Sequence, residues 1–564
     1  MTEFGGRKGL RQGPAGRRNA PGKAWLAAIA AIGFTATGSG GAFAQASMKD
    51  DVCDPYKNYK CLDSYLGDSV LERFFNYYKL EWGKGTAPAD PNAPSASREG
   101  WPRTPATVPP LAYTEWPSGA WTPIGVTRPN SVDSPLMNAI SNTDAGKWMN
   151  ENHLQMYGWV EAGANVSTNS PGKGRNAPVA YTYIADTAQL DQAVLYLERL
   201  PDTVQTDHID WGFRLSGIYG ADYRYTNSYG IGSYQFNKRN NENGWDVPME
   251  YLDIYIPFVL QGLNIRAGRY ISIPDIEAQL APNNITYTHS LTYSWDNYTN
   301  TGVVASLQVT KNFLFQIGVD DGTETPLWHI GQKITNLDPN NALYPGTSFK
   351  KDPGNQPSLA VCAQYKWNDG WDTIYPCIDG INNGEWGYNN IQWHGLTYYH
   401  RFNQEWHVDF EAYYLDEKGV PNSRNATAMQ IFGAGGTPFS PQFVPMNGPT
   451  PLYCSNATDL KCTVWAVGVL TYLNYTPDPL NNFTLRLEWY DDPNGWRTST
   501  GGPTKYFDTN LSWQHWLSPQ IELRPEVGFW QSFGTAAFNG NPTLGIPGNK
   551  KEMVEVSSDI IVHF

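Results

Sequence analysis

The sequence predicts an all-β protein: a transmembrane antiparallel β-barrel of about 16 strands, with roughly 14–18 compatible with the pattern, behind a helical and Pro-rich N-terminal segment. Three observations lead there. The final eleven residues, Val554 to Phe564, alternate in character, with Val554, Val556, Ile560, Val562 and Phe564 on one face and Glu555, Ser557, Asp559 and His563 on the other. Only Ser558 and Ile561 break the alternation, and about 9–11 residues suffice for a tilted strand to cross a bilayer. The chain of 564 residues carries 22 Trp, 34 Tyr and 54 Gly with only 17% charged residues, yet its mean hydropathy is −0.48. That combination suits a barrel, because half of each strand is polar and aromatics gather at the two interfaces. No stretch beyond residue 44 approaches the roughly 18 consecutive apolar residues of a membrane-crossing helix, so a membrane protein here must be a barrel.

Residues 1–44 read as a signal peptide. Arg7, Lys8, Arg11, Arg17, Arg18 and Lys23 precede a short apolar run from Ala24 to Ile32, and Ala42-Phe43-Ala44 gives the small-x-small cleavage pattern. The run is too short for a comfortable membrane anchor. Losing this segment removes six cations and one anion, so a chain already at −14 becomes more acidic. That balance excludes nucleic acid as a partner, since nucleic-acid binding needs a basic surface.

Residues 45–150 form an N-terminal segment, periplasmic or luminal. Leu62, Leu66, Val70 and Phe74, continued by Tyr77 or Tyr78, lie four apart and predict one amphipathic helix over about 62–82. The Pro-rich stretch from Thr86 to Pro135 suits neither central strands nor a stable helix. It reads either as a linker or as a segment held in the barrel mouth or lumen, and Trp101, Trp116 and Trp121 favour the second.

Residues 151–564 carry recurring amphipathic segments separated by Gly, Asn and Pro turns. The clearest runs from Asp210 to Tyr225, with Trp211, Phe213, Leu215, Gly217, Tyr219, Ala221, Tyr223 and Tyr225 on one face. Asp210, Gly212, Arg214, Ser216, Gly220, Asp222 and Arg224 share the other, and Ile218 is the exception. Charges of both signs opposite aromatics are what a wet interior and a lipid exterior demand. The hairpin Val303–Val319 repeats the pattern; a three-residue turn at 310–312 sets each apolar residue of one strand against one of the other. Further strands are expected at Leu263–Ala267, Trp406–Tyr414, Phe483–Tyr490, Phe507–Trp513 and Ile521–Trp530, with weak candidates near 285–295 and 426–433.

Six cysteines fall in local pairs, Cys53/Cys61, Cys362/Cys377 and Cys454/Cys462, and an even count in an exported chain implies disulfides. For the middle pair a register argument is available. Asn368-Asp369-Gly370-Trp371 carries an Asp-Gly turn signal that sets 367 opposite 372, and Cys362 then faces Cys377 within disulfide reach. No C-x-x-C or clustered His accompanies them, so metal ligation is not indicated.

With these residues in view, the chain resembles the family of putative β-barrel porin-2 (OmpL-like) proteins of Gram-negative outer membranes. The matching stretches are Met156–Val160, Asp210–Leu215 with Tyr219–Asp222, Ala267–Tyr270, Thr288–Ser290 leading to Thr301–Val303, and Arg486–Gly495, spread over roughly residues 100–564. Their order carries the resemblance. The chain departs from the family pattern at Gly220-Ala221-Asp222 and at Pro525 inside a strand, which bears on local register. A terminal Phe564 resembles the closing strand of bacterial outer-membrane barrels, which the barrel assembly machinery recognises. The resemblance implies a location in the outer-membrane lipid and passive diffusion of small hydrophilic solutes, with no catalytic set and no cofactor. A plugged, non-conducting surface protein is the competing reading. Oligomeric state is not legible.

In a pore, selectivity comes from charges facing water at the narrowest level. The candidates are Asp210, Arg214, Asp222 and Arg224 from one segment, Arg266, then Arg486 with Glu488, and Arg524 with Glu526. Mutual pairing within the wall is an equally simple role for them. Ile271–Leu280 is too interrupted for a strand. Folded inward, it would present Asp275 and Glu277 to the arginines as a constriction; the rule that extracellular loops are long favours an external placement instead. A lipid-hydrolysing enzyme would need a nucleophile, base and orienting group, and the nearest approach is His289 beside Ser290, without a G-x-S-x-G elbow. Asp491-Asp492-Pro493-Asn494-Gly495 lacks the spacing of a Ca²⁺ loop and reads as a turn.

Overall fold

A computed structural model describes residues 61–83, 124, 134–170, 174–226, 242–271, 275–296, 299–322, 357–382, 391–422, 424–428, 454–478, 480–498, 502–541, 544 and 546–564. The expected signal segment, Cys53 and the Trp101, Trp116 and Trp121 stretch lie outside them. The wall is one closed antiparallel sheet. In chain order its strands are β1 (Leu154–Ser167), β2 (Ala188–Arg199), β3 (Asp210–Gly220), β4 (Gly244–Ile256), β5 (Leu263–Ile271), β6 (Thr299–Gln308), β7 (Phe313–Asp320) and β8 (Ser358–Trp367). The second half comprises β9 (Asp372–Ile381), β10 (Gln392–Arg401), β11 (Trp406–Pro421), β12 (Lys461–Asp478), β13 (Asn481–Asp492), β14 (Thr504–Ser518), β15 (Ile521–Leu523), β16 (Glu526–Ser532) and β17 (Glu552–His563). β15 and β16 both bond to β14 on one side and β17 on the other. They are therefore two halves of one wall strand interrupted at Arg524-Pro525, where proline can donate no ladder bond. The barrel has sixteen wall strands, an even number, as closure of an antiparallel hairpin series requires.

Closure is made by β1 against β17, in register from Trp159↔His563 to Ser167↔Glu555, and extended by Phe564, whose N–H and C=O both bond to Gly158. In β17, Val554, Val556 and Ile560 are exposed while Glu555, Ser557, Asp559, Ile561 and His563 are buried. Long connections (168–187, 221–243, 272–298, 321–357, 422–460 and 533–551) all join strands at one end of the barrel, and short ones such as 257–262, 309–312, 368–371, 402–405 and 519–520 join them at the other. In outer-membrane barrels the short turns are periplasmic. Near that end Trp406, Tyr475, Phe483 and Trp513 stack across four adjacent strands, with ring centroids 4.7, 6.5 and 6.1 Å apart. Such a belt is where aromatic rings meet a membrane interface.

The hairpin register is as the alternation predicts: Leu307↔Phe315, Ala305↔Ile317 and Val303↔Val319. Two segments differ from expectation. β3 stops at Gly220, and a helical turn, Tyr223–Thr226, follows. Gly220 adopts φ 145°, and a Cβ there would sit 2.1 Å from the Asp191 carbonyl oxygen, so the chain swerves inward and Tyr223 and Tyr225 are buried rather than lipid-facing. The weak candidate at 285–295 is likewise no strand but part of a luminal segment. Of 426–433, the described residues 426–428 are helical.

Before β1, the expected helix over 62–82 is two helices, Leu62–Leu66 and Val70–Glu81, split at Gly67, which takes φ 96°. Ser69 restarts the helix by accepting a bond from Glu72 N–H. Buried Arg73 ties it to Pro135–Ile140 by donating to the Asn138 carbonyl at 3.1 Å and to Ser141 Oγ at 2.7 Å. The Tyr78 hydroxyl donates to the His563 carbonyl, and Gly83 N–H to the Leu517 carbonyl at 2.7 Å, which places this helix against the short-turn rim.

Cys362 is the ladder partner of Cys377, and the two are disulfide-bonded with Cα atoms 4.2 Å apart. The turn between them uses three left-handed residues, Asn368, Asp369 and Gly370, while keeping Trp367↔Asp372. Cys454–Cys462 is also a disulfide, and Cys61 is disulfide-bonded. A cross-link closing a 15-residue separation is worth about 3 kcal/mol in the chain-entropy account. The double variant Cys362→Ser/Cys377→Ser is therefore expected to fold but to lose its compact, fast-migrating gel form at a lower temperature; an unchanged transition would remove the disulfide from the stability account.

Candidate functional site

The connection from β5 to β6 does not leave the barrel. Residues 275–296 fold into the lumen, and nearly every described residue of that stretch is buried. The inward placement, which the general rule on external loops disfavours, is the one adopted. The physical reason lies in how the loop satisfies its backbone polar groups away from bulk water, for which the wall supplies charged partners.

Glu488 on β13 accepts from Leu291 N–H at 2.9 Å, from Thr292 N–H, and from Thr292 Oγ1 at 2.5 Å, at the start of the helical turn Leu291–Ser294. A carboxylate suits the exposed N–H groups of a helical turn. Glu526 on β16 accepts from Tyr287 N–H at 3.1 Å and Thr288 N–H at 2.8 Å. Arg486 donates to the Thr288 carbonyl at 2.6 Å while paired with Asp508 at 2.8 Å. Arg524, in the break between β15 and β16, donates to the Ala281 and Asn284 carbonyls, each at 2.8 Å. Its other partners are Asp559 and, at 3.1 Å, Glu161. From the loop side, Glu277 accepts from Ser290 N–H at 3.0 Å, from Ser290 Oγ at 3.0 Å and from the Tyr472 hydroxyl, and lies 3.8 Å from Arg486. Burial pushes the Glu277 carboxyl up to about 7, against the pull of Arg486 and these donors.

Two glycines make room. A Cβ on Gly163 of β1 would fall 2.0 Å from the Tyr287 hydroxyl, which donates to Asp191 at 3.1 Å. One on Gly468 of β12 would fall 2.6 Å from Thr292 Cγ2. Gly163→Val is expected to displace the loop at about 1–3 kcal/mol, the usual scale of overpacking. Faster protease cutting within 275–296 in the folded variant would report it, and unchanged cutting would count against close packing there.

The remaining sequence candidates divide differently. Arg214 pairs with Glu198 at 2.6 Å, Arg266 with Asp253 at 2.9 Å, and Asp210 with Arg199 at 2.8 Å, all within the wall. Asp222 and Arg224 lie beyond the end of β3, not on a strand face. Asp222 accepts from Gln192 Nε2 at 3.0 Å, and Arg224 donates to the Ala221 carbonyl at 2.7 Å. Asp275 sits apart from the arginines among other acids. Sequence reasoning missed Asp508, Glu161, Asp559, Glu411, Asp296 and Gln192. All but Asp296, which lies in the inserted segment itself, were present as inward positions on strands, but position alone does not say which part of a distant loop they meet.

His289 and Ser290 do not form a nucleophile–base pair. Ser290 Oγ donates to Glu277 and caps the helical turn through Tyr293 N–H, while His289 Nε2 lies 3.0 Å from the Ala278 carbonyl. Burial holds the His289 imidazole down to about 3, so it is neutral. In the turn after β13, Asp492 accepts from the N–H groups of Trp496, Arg497 and Thr498 at 2.8–3.0 Å.

A closed sixteen-strand barrel with a lipid-facing apolar belt and an internally anchored loop defines the class of outer-membrane channel proteins. The chain belongs to the family described as Putative beta-barrel porin-2, OmpL-like, whose model matches residues 153–564. It is a porin-like channel protein of the Gram-negative outer membrane through which solute passes. No curated protein matches it. Among solved structures it is similar to the outer membrane channel DcaP of Acinetobacter baumannii, with 11% identity, TM-score 0.42, and 73% of this chain and 97% of that one covered. It is also similar to an anion-selective porin from Comamonas acidovorans, with 11% identity, TM-score 0.42, and 73% and 99% covered. A third is Salmonella typhi OmpF in complex with daunomycin, with 10% identity, TM-score 0.39, and 73% and 99% covered.

Proposed function

We propose that the protein is a diffusion channel for small hydrophilic solutes whose aperture is set by residues 275–296. One observation supports this above the rest. The loop's bonds run to Gln192 on β2, to Glu411 and Tyr413 on β11, to Tyr472 on β12, and to Arg486, Glu488, Arg524 and Glu526 beyond. Those strands form one side of the cylinder, so the loop leans on part of the wall and narrows the lumen from there. In this reading Glu277, Arg486, Glu488, Arg524 and Glu526 hold the constriction, and Arg214, Arg266 and Asp210 are wall pairs. None acts catalytically. The refolded chain should give discrete open-channel steps in a planar bilayer, and a salt gradient then yields the sign of selectivity. Persistent silence from folded protein would sink the reading.

A second reading has its own support in the rim contacts of Tyr78 and Gly83: residues 45–150 cover the periplasmic mouth. Silence that ends when 45–150 are deleted favours the plug. Export would use residues 1–44, and Phe564 would present the closing strand to the barrel assembly machinery. Deleting Phe564 should then reduce the amount of folded barrel in outer-membrane fractions.

A further inference from the structure

Three acidic side chains meet where the inserted loop begins and ends. Asp275 opens the described segment, Asp296 closes it, and Glu411 projects from β11 between them. One oxygen from each lies within 4.8 Å of the others. All three are more than nine-tenths buried: Asp296 and Glu411 are fully enclosed, and Asp275 is 6% exposed. No N–H group reaches Asp275 Oδ1 or Glu411 Oε1, whose side-chain neighbours are each other and Asp296, although Glu411 Oε2 accepts from Ile276 N–H at 2.8 Å. An orphaned buried carboxylate oxygen is costly, and two in one place call for a ligand that can satisfy both.

The chemistry of that ligand is constrained. The acids around Asp275 are Asp296, Glu411 and Glu277, and the buried Arg497, which donates to the Trp295 and Asp296 carbonyls, is a single cation against four carboxyls, so the site attracts positive charge. Its donors are carboxylate oxygens alone, which select a hard cation over zinc or copper. Ca²⁺ binds oxygens at about 2.3–2.6 Å, which places ligand oxygens up to roughly 5 Å apart across the ion. The observed spread fits within that span.

We propose that Asp275, Asp296 and Glu411 form a divalent-cation site, calcium by its ligand set, that fastens both ends of the inserted loop to β11. The ion joins three stretches of chain: the entry of the loop, its exit and the wall. It acts at the loop's base, whereas Glu488, Glu526 and Arg524 hold its middle. The site does not depend on the channel conducting.

The test uses the full chain refolded into detergent free of lipopolysaccharide and stripped with chelator. Equilibrium dialysis against calcium alone at neutral pH compares the parent with Asp275→Asn, Glu411→Gln and the surface control Asp459→Asn. The parent and the control should each bind one more calcium per chain than either site variant, or bind it at least about tenfold tighter. Equal calcium binding by parent and site variants overturns the proposal, as does a parent that binds none. If either amide variant fails to give the heat-modifiable folded form, Asp275→Glu keeps the charge and shifts the oxygen by one methylene. It should fold and bind calcium more weakly, and parent-like binding by that variant would also overturn the site. Binding is read without conductance, so its failure leaves the channel reading standing.

Discussion

Arg524→Ala is expected to destabilise the folded barrel by about 3–5 kcal/mol, the cost of leaving a buried ion pair half removed. The guanidinium is buried among Asp559 and Glu161 and also donates to two carbonyls of the inserted loop. Its removal leaves two buried acids facing each other and takes a donor from two loop carbonyls, of which Ala281 keeps the N–H of Asn284. Urea titration of the folded form measures the loss. A change under about 1 kcal/mol, the range typical of an exposed pair, would show that water reaches these groups and that the loop is not sealed against the wall. Arg524→Lys restores charge but not the fork that serves carboxylate and carbonyl together, so it should recover only part of the stability.

Replacing residues 276–295 with a short Gly-Ser linker is expected to raise single-channel conductance several-fold while leaving the barrel folded. The wall has its own hydrogen-bond ladder from β1 to β17 and does not need the loop for closure. What the deletion strips away is the loop partners of Arg486, Glu488 and Glu526, whose freed hydrogen-bonding capacity then takes water, while Arg486 keeps Asp508 and Glu526 keeps Ser557. The measurement is the step size in a planar bilayer, compared at equal salt. An unchanged step would locate the narrowest level somewhere other than this segment, and the constriction reading would be falsified.

The wall was largely legible in the residues because alternation is a local property. Val303–Val319 and Val554–Phe564 reveal their lipid-facing sides with no knowledge of neighbours, and the turn at 368–371 fixes Cys362 against Cys377 by counting. Local rules failed where a period of two continued past the end of a strand. Asp222, Tyr223, Arg224 and Tyr225 still alternate by character, but the close approach of Gly220 to Asp191 has already turned the chain inward. The helix over 62–82 failed for a similar reason: spacing by four survives the break at Gly67. The inserted loop was half legible. Asp275 and Glu277 could be named as candidates to meet arginines, but a polar segment looks the same whether it faces the medium or a polar wall. Only contacts across some two hundred positions, such as Leu291 with Glu488, decide between them. The carboxylate cluster was invisible for that reason too, since Asp275, Asp296 and Glu411 come from three separate stretches.

The seam between β1 and β17 has a consequence for biogenesis. Its partners, Trp159 and His563, are separated by nearly the whole described sheet in chain order, and Phe564 adds a pair of bonds to Gly158 beside them. Until that seam closes, two unsatisfied strand borders must travel through an aqueous compartment with their hydrogen-bonding groups bare. Such an intermediate invites mispairing between neighbouring molecules. Its yield should therefore depend on holdase capacity in transit more steeply than on the stability of the finished cylinder.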